Sequence, residues 1–153
     1  MAITIEKTFE VEQTPDEVWA FLVDPARVVE CLPGARLLQS IDERTHEGEI
    51  GVRLGPIAAT FRGIARFERL DRENYEVEMT GEGKDSRGTG AVKMVMRSKL
   101  IPREGGGTRV SVTQTVNLAG RLASFGRGGI IQNVADFMFG RFTACVQKKL
   151  AEG

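Results

Sequence analysis

A four-residue beat near the C-terminus constrains this chain more than any other feature. Between Leu122 and Leu150 the residues keep a helical period, with Ile130, Val134, Met138, Phe142, Val146 and Leu150 each four positions apart. Ile131, Ala135 and Phe139 form a second row beside them. At about 100° per residue these rows, with Cys145, cover an arc of roughly 200°. A helix on a protein surface needs an apolar stripe only somewhat wider than about 100°. The spacing therefore predicts a helix over 122–150 that is embraced on more than one side. Either it closes a filled core across a sheet, or part of its stripe faces a cavity.

The N-terminal segment supplies the first strand. Ile3, Ile5, Phe9 and Val11 alternate with Thr4, Glu6, Thr8 and Glu10, the pattern of a half-buried strand. Lys7 falls on the apolar side and is expected near an edge or an opening. Thr14-Pro15-Asp16-Glu17 then offers a cap, a proline suited to the first helical position and the glutamate of a capping box. The short helix that follows is expected to bury Val18, Trp19, Leu22 and Phe21. Asp24-Pro25 repeats the cap-plus-proline signal and opens a second short helix carrying Val28, Val29 and Leu32, which Cys31-Leu32-Pro33-Gly34 ends.

From Ala35 to Leu118 the sequence holds no helical period. It reads as six antiparallel strands over residues 35–42, 46–54, 57–69, 74–83, 88–100 and 108–118, separated by turn-forming clusters such as Gly55-Pro56 and Gly105-Gly106-Gly107. Alternation assigns one apolar face. It carries Ile57, Ala59, Phe61, Gly63, Ala65 and Phe67, then Tyr75, Val77, Met79 and Gly81. Gly90, Val92, Met94, Met96, Ser98 and Leu100 continue it, with Val110, Val112, Gln114, Val116 and Leu118 on the last strand. The opposite face is mostly charged. A sheet wet on one side needs one cover, and the C-terminal helix is the element long enough to provide it.

Two features of the apolar face bear on whether the core is filled. Gly63, Gly81, Gly83, Gly88 and Gly90 mark bends or close backbone approach and add no side chain to packing. Met79, Met94, Met96 and Met138 adapt equally to irregular gaps and to ligands of variable shape.

Composition excludes several function classes. Lys plus Arg and Asp plus Glu both number 21, so the basic footprint of a nucleic-acid binder is missing. Cys31 and Cys145 lie in apolar surroundings without CxxC spacing, and are read as buried free thiols of a cytosolic protein. No apolar run approaches the ~18 residues of a membrane span, and the charged start MAITIEKTFEVEQ does not resemble a signal peptide. His46, the only histidine, falls in a charged turn region from Glu43 to Glu49, so a His-based metal site or catalytic triad is not expected. Gly81-Glu82-Gly83 and Gly126 to Gly129 lack the further residues of a nucleotide-binding loop. No metal, cofactor or catalytic pair is anticipated. The inward polar candidates are Lys7, Ser98, Gln114 and Tyr75.

The order strand, two short helices, six strands and a long helix resembles the helix-grip fold of the START-like, polyketide-cyclase-like superfamily. More narrowly, the sequence resembles the carbon monoxide dehydrogenase G-subunit family. The residues that carry this are Val18-Trp19-Ala20-Phe21-Leu22, Asp24-Pro25, Cys31-Leu32-Pro33-Gly34-Ala35, Phe61-Arg62-Gly63, Gly81-Glu82-Gly83 with Asp85, and Gly88-Thr89-Gly90. Gly107-Thr108, Gly120-Arg121-Leu122-Ala123 and Phe125-Gly126 complete the set. The likeness runs nearly end to end, and the Cys-Leu-Pro-Gly-Ala block is its most specific part.

The resemblance implies an α+β fold in which a seven-stranded curved antiparallel sheet grips the last helix around an apolar cavity. It also implies an accessory role beside a molybdenum-containing hydroxylase, with a quinone-binding role and recruitment of that enzyme to the membrane. Many relatives carry an extra C-terminal tail. This sequence stops at Gly153, so membrane contact is expected to be at most peripheral, from a cytoplasmic location. Leu122-Ala123-Ser124-Phe125-Gly126 is expected to form a small apolar contact surface near the cavity mouth. A quinone- or lipid-like ligand would then meet Trp19, Leu22, Val28, Leu32, Phe61, Ala65, Met79, Met94, Met96, Gln114, Phe125, Ile130, Val134 and Met138. The alternatives are a cyclase- or hydratase-type enzyme using the same cavity, and a protein-binding assembly factor with a filled core.

Overall fold

A computed structural model describes every residue except Met1, Thr89, Arg127 and Gly128. The chain runs β1 (Ala2–Val11), α1 (Pro15–Leu22), α2 (Pro25–Val29), β2 (Ala35–Ser40), β3 (Thr45–Leu54), β4 (Ile57–Asp71), β5 (Glu76–Asp85), β6 (Gly90–Pro102) and β7 (Thr108–Gly120). A 3-10 turn (Arg121–Gly126) then leads into α3 (Ile130–Glu152). The seven strands form one antiparallel sheet in the order β1-β7-β6-β5-β4-β3-β2. Between Leu37 and Leu118 the described residues contain no helix.

Local chemistry starts both short helices. Thr14 Oγ1 accepts the Glu17 N–H at 3.3 Å, and Asp24 Oδ1 accepts the Ala26 N–H at 3.1 Å. Each satisfies a backbone donor that the first helical turn leaves free. Pro15 and Pro25, at the first helical positions, have no N–H to leave unpaired.

The sheet curves around α3 for two visible reasons. Register shifts between Phe67 and Arg69 in β4 and between Leu37 and Gln39 in β2 bend those strands. Gly63 pairs with Gly83, and a Cβ on Gly63 would stand 1.8 Å from the Glu82 carbonyl oxygen. No side chain fits there, so glycine is what lets β4 and β5 approach so closely.

Three expectations need correction. The long helix does not begin at Leu122: a 3-10 turn occupies Arg121–Gly126, and α3 starts at Ile130 after Gly129, whose φ of 78° is incompatible with a right-handed helix. Residues 127 and 128 of the expected helix, and Thr89 of the expected sixth strand, lie outside the described residues. Ile57 is 44% exposed, because it sits at the hairpin end of β4, past the area that α3 covers. Finally, Cys31 and Cys145 are not free thiols; they form a disulfide across a sequence separation of 114, with Cα atoms 5.4 Å apart. The bond staples the residues just after α2 to the C-terminal half of α3, an adjacency that no local spacing announces.

Packing is concentrated at the two ends of α3. One cluster gathers Val18, Trp19 and Phe21 of α1 with Phe9, Val11, Phe67, Leu100, Val110, Val146 and Leu150. A smaller one joins Ile3, Leu54, Ala59, Leu118, Leu122 and Ile131. Between them an apolar space separates much of the sheet's inner face from the helix.

Candidate functional site

The space between the clusters is a cavity of about 580 Å³. Its floor is the inward face of the sheet, where side chains of one parity line up because strand residues alternate between faces. Phe61, Ala65 and Phe67 come from β4, Val77, Met79 and Gly81 from β5, and Val92, Met94, Met96 and Ser98 from β6. Val112, Gln114 and Val116 come from β7, and Ile5 and Phe9 from β1. The roof is α3, through Ile131, Val134, Ala135, Met138, Phe139 and Phe142. Trp19 and Leu22 of α1, Val28 and Val29 of α2, and Leu32 close one end. Leu122 and Phe125 of the 3-10 turn close the other.

The glycines on the floor play different parts. Gly63 is a backbone contact, as above. At Gly81 an added Cβ would meet only Met94 Cε at 3.4 Å and the Ile64 carbonyl oxygen at 3.9 Å, so its missing side chain leaves open volume. Gly81 pairs with Ala65, which in turn pairs with His46. Two small side chains therefore stand next to His46 in one row of the floor.

Every side chain anticipated from the sequence to meet a ligand borders this cavity except Ile130. Successive helical residues turn by about 100°. Ile131, Val134, Ala135, Met138, Phe139 and Phe142 centre on one direction, and Ile130 lies roughly 110° away from it. Its neighbour Ile131 takes the place; Ile130 packs against the smaller cluster. The block Leu122-Ala123-Ser124-Phe125-Gly126 contributes Leu122 and Phe125 to one end of the cavity wall. Leu122 is buried and Phe125 turns into the cavity, while Ser124 Oγ donates to the Arg121 carbonyl at 2.9 Å.

The polar candidates separate clearly. Lys7 borders the cavity, but its ammonium is ion-paired with Asp136 of α3 and lies 6.0 Å from the Phe139 ring centre. It clips the edge strand β1 to the helix. Tyr75 lies away from the cavity: its hydroxyl donates to Asp16 Oδ1 at 2.8 Å, and its ring meets Trp19 edge-on at 6.2 Å. That carboxylate raises the phenol above its ordinary pKa. Gln114 and Ser98 border the cavity, and Ser98 Oγ is buried without a hydrogen-bond partner among the described residues.

Sequence reasoning missed His46. It is not in a charged turn but inside β3, 9% exposed, with its ring at the cavity wall. Ser40 Oγ and His46 Nδ1 are 2.9 Å apart, and the ring packs edge-on against Phe67 with centroids 5.9 Å apart. The signal was available: His46 shares strand parity with Ile50, Val52 and Leu54, all of which line the cavity. The acidic neighbours Glu43, Glu47 and Glu49 obscured it.

Comparison with known proteins supports the fold first. A conserved protein from Geobacillus kaustophilus superimposes with a TM-score of 0.85 at 21% identity, covering 98% of this chain and 96% of that one. The Zhui aromatase/cyclase of Streptomyces sp. R1128 gives 0.70 at 12% identity, over 99% and 94% of the two chains. Norcoclaurine synthase from Thalictrum flavum gives 0.65 at 12% identity, over 100% and 88%. At such identities the likeness is one of fold alone. No curated protein matches the sequence. The profile of the carbon monoxide dehydrogenase G-subunit (CoxG) family matches residues 8–151, nearly the whole length, so this helix-gripping chain belongs to the CoxG family.

Proposed function

We propose that the protein holds an apolar or amphipathic small molecule, quinone- or lipid-like, in the cavity between sheet and α3, and does no chemistry on it. One observation carries this reading: a space of about 580 Å³ walled almost wholly by apolar side chains. Ligand pockets typically run to ~300–1,000 Å³ and bury most of a small ligand behind apolar side chains, whereas close-packed interiors hold few voids larger than a water molecule. Leu22, Met94, Met96 and Met138 are the flexible side chains that would adjust to the occupant's shape. Family membership supports an accessory role beside a carbon monoxide dehydrogenase-type molybdenum hydroxylase.

Membrane contact in this reading is peripheral, since no helix among the described residues is long and apolar enough to cross a bilayer. Work in the cytoplasm is part of the same reading. The Cys31–Cys145 bond weighs against it, because disulfides persist mainly in oxidising compartments. Thiol trapping in intact cells decides between the two placements.

The test of occupancy is native mass spectrometry of protein purified without detergent, before and after organic extraction. A mass above that of the polypeptide, lost on extraction and restored by adding quinone or lipid, is the expected result. A protein that carries nothing and takes up neither class overturns the reading in favour of an assembly factor.

A further inference from the structure

Almost every charged residue at the cavity wall already has an opposite charge. Lys7 is paired with Asp136, Arg36 with Glu49 at 2.7 Å, Glu47 with Arg62 at 3.4 Å and Glu82 with Lys93 at 3.8 Å. His46 differs. Its Nδ1 is engaged by Ser40 at 2.9 Å, while Nε2 is buried with no hydrogen-bond partner among the described residues. The ring is braced edge-on by Phe67 at 5.9 Å. Beside it in the same row stand Ala65 and Gly81, two small residues of the floor. Buried polar atoms are normally paired, and one left alone costs free energy that a partner would offset.

We propose that His46 Nε2 is a polar recognition point of the cavity, that it hydrogen-bonds one neutral oxygen, carbonyl or hydroxyl, at the end of an otherwise apolar occupant, and that Ser40 holds the ring for it. This rests on the reading that the cavity is occupied. The chemical class follows from the donors and acceptors present. A neutral imidazole donates from one ring nitrogen and accepts at the other, and the Ser40 hydroxyl can serve either tautomer. Nε2 can therefore donate to a ketone or quinone carbonyl, or accept from an alcohol or quinol hydroxyl. A carboxylate would be poorly served, because the lysine and arginine at the wall are already paired and an unpaired buried charge is costly. The cavity thus selects neutral oxygenated lipophiles over hydrocarbons and over fatty acids.

The experiment uses three small probes with delipidated full-length protein: duroquinone, its hydrocarbon durene, and tetramethylbenzoic acid. Every ring carbon of duroquinone is substituted, so it cannot add a thiol. The wild type is expected to bind duroquinone at least about tenfold more tightly than either other probe. His46→Phe should abolish the preference over durene, and His46→Gln, which keeps a donor and an acceptor, should retain part of it. His46 is the only histidine, so nitrogen NMR of the wild-type imidazole reads the contact without any substitution. Nε2 should move with duroquinone and stay still with durene. An unchanged preference in His46→Phe, an unmoved Nε2 with duroquinone bound, or equal binding of the acid each overturns the proposal. If His46→Phe fails to fold, His46→Gln and the wild-type NMR decide. Uptake of none of the three probes overturns the occupied-cavity reading itself, and this inference with it.

Discussion

The two halves of α3 obey different packing rules although one helix contains both. Toward the C-terminus, Val146 is 0% exposed and Leu150 is buried, both within the cluster built around Val18, Trp19 and Phe21. Toward the N-terminus, Val134, Ala135 and Met138 face the sheet just as directly, yet what lies before them is the cavity. Both halves carry the same apolar period, so the period cannot say which half meets a partner. The difference comes from what stands opposite. The C-terminal half meets α1 and the aromatic side chain of Phe9, with Phe142 edge-on to that ring at 6.2 Å. The N-terminal half spans a floor that contains Ala65 and Gly81 and is bent away from it. The larger cluster anchors the C-terminal end and the smaller one the first turn, and the span between them serves as the roof.

Four measurements break or sharpen this contrast. The largest effect belongs to the staple at the anchored end. Closing a loop of 114 residues restricts the unfolded chain by about 4–5 kcal/mol on the chain-entropy account. Replacing both cysteines by alanine should lower stability by about that amount, and a denaturant midpoint unchanged by the replacement would refute it. Next come two truncations on the same helix. Leu150→Ala removes a core side chain and should cost about 3 kcal/mol. Met138→Ala removes an equally large one from the cavity roof and should cost less than about 1 kcal/mol in ligand-free protein, because no new void is created where one already exists. Equal losses in thermal unfolding would mean that the two halves pack alike.

Ala65→Phe adds a ring to the floor. In a filled core overpacking costs about 1–3 kcal/mol; in this cavity stability should hold or rise while quinone affinity falls at least tenfold, about 1.4 kcal/mol. Calorimetric titration and unfolding of the same preparation check both halves of that statement. The smallest effect is electrostatic. Lys149 donates to Glu30 at 2.7 Å and holds its carboxyl below the ordinary value of 4.5. A lowered folded-state pKa contributes stability that is fully present above the unfolded value and disappears as pH falls through the folded one. Lys149→Met should therefore cost little at neutral pH, since the pair is exposed, and should flatten the loss of stability below about pH 4.5 seen in pH-dependent unfolding curves. An identical acid limb in both proteins would show that the pair contributes nothing there.

Much of the architecture was legible from local rules. Strand alternation named the floor of the cavity from Phe61 to Val116, because a pleated strand sends neighbouring side chains to opposite faces. Thr14-Pro15 and Asp24-Pro25 placed both short helices, because capping is settled within four residues. The breadth of the stripe on α3 announced enclosure on several sides. Ile130 was misplaced for a physical reason: a row spaced by four residues drifts about 40° per step around a helix, so its first member leaves the direction that its middle members share.

Other properties were decided only in three dimensions. Whether the broad stripe meets side chains or empty space depends on how far the sheet bends, and the bend arises from bulges and from the Gly63–Gly83 approach between strands. Cys31 and Cys145 became partners because α2 docks on α3; the sequence carries their identities but not their distance. His46 is the sharpest case. Its parity placed it on the inner face, but its burial, the Ser40 contact and the unpartnered nitrogen needed β2, β4 and the helix assembled around it. Periodicity is a one-dimensional signal that assigns each side chain a face. Whether that face holds a neighbour, a bond or a void depends on residues distant in the chain, and only tertiary structure sets those distances.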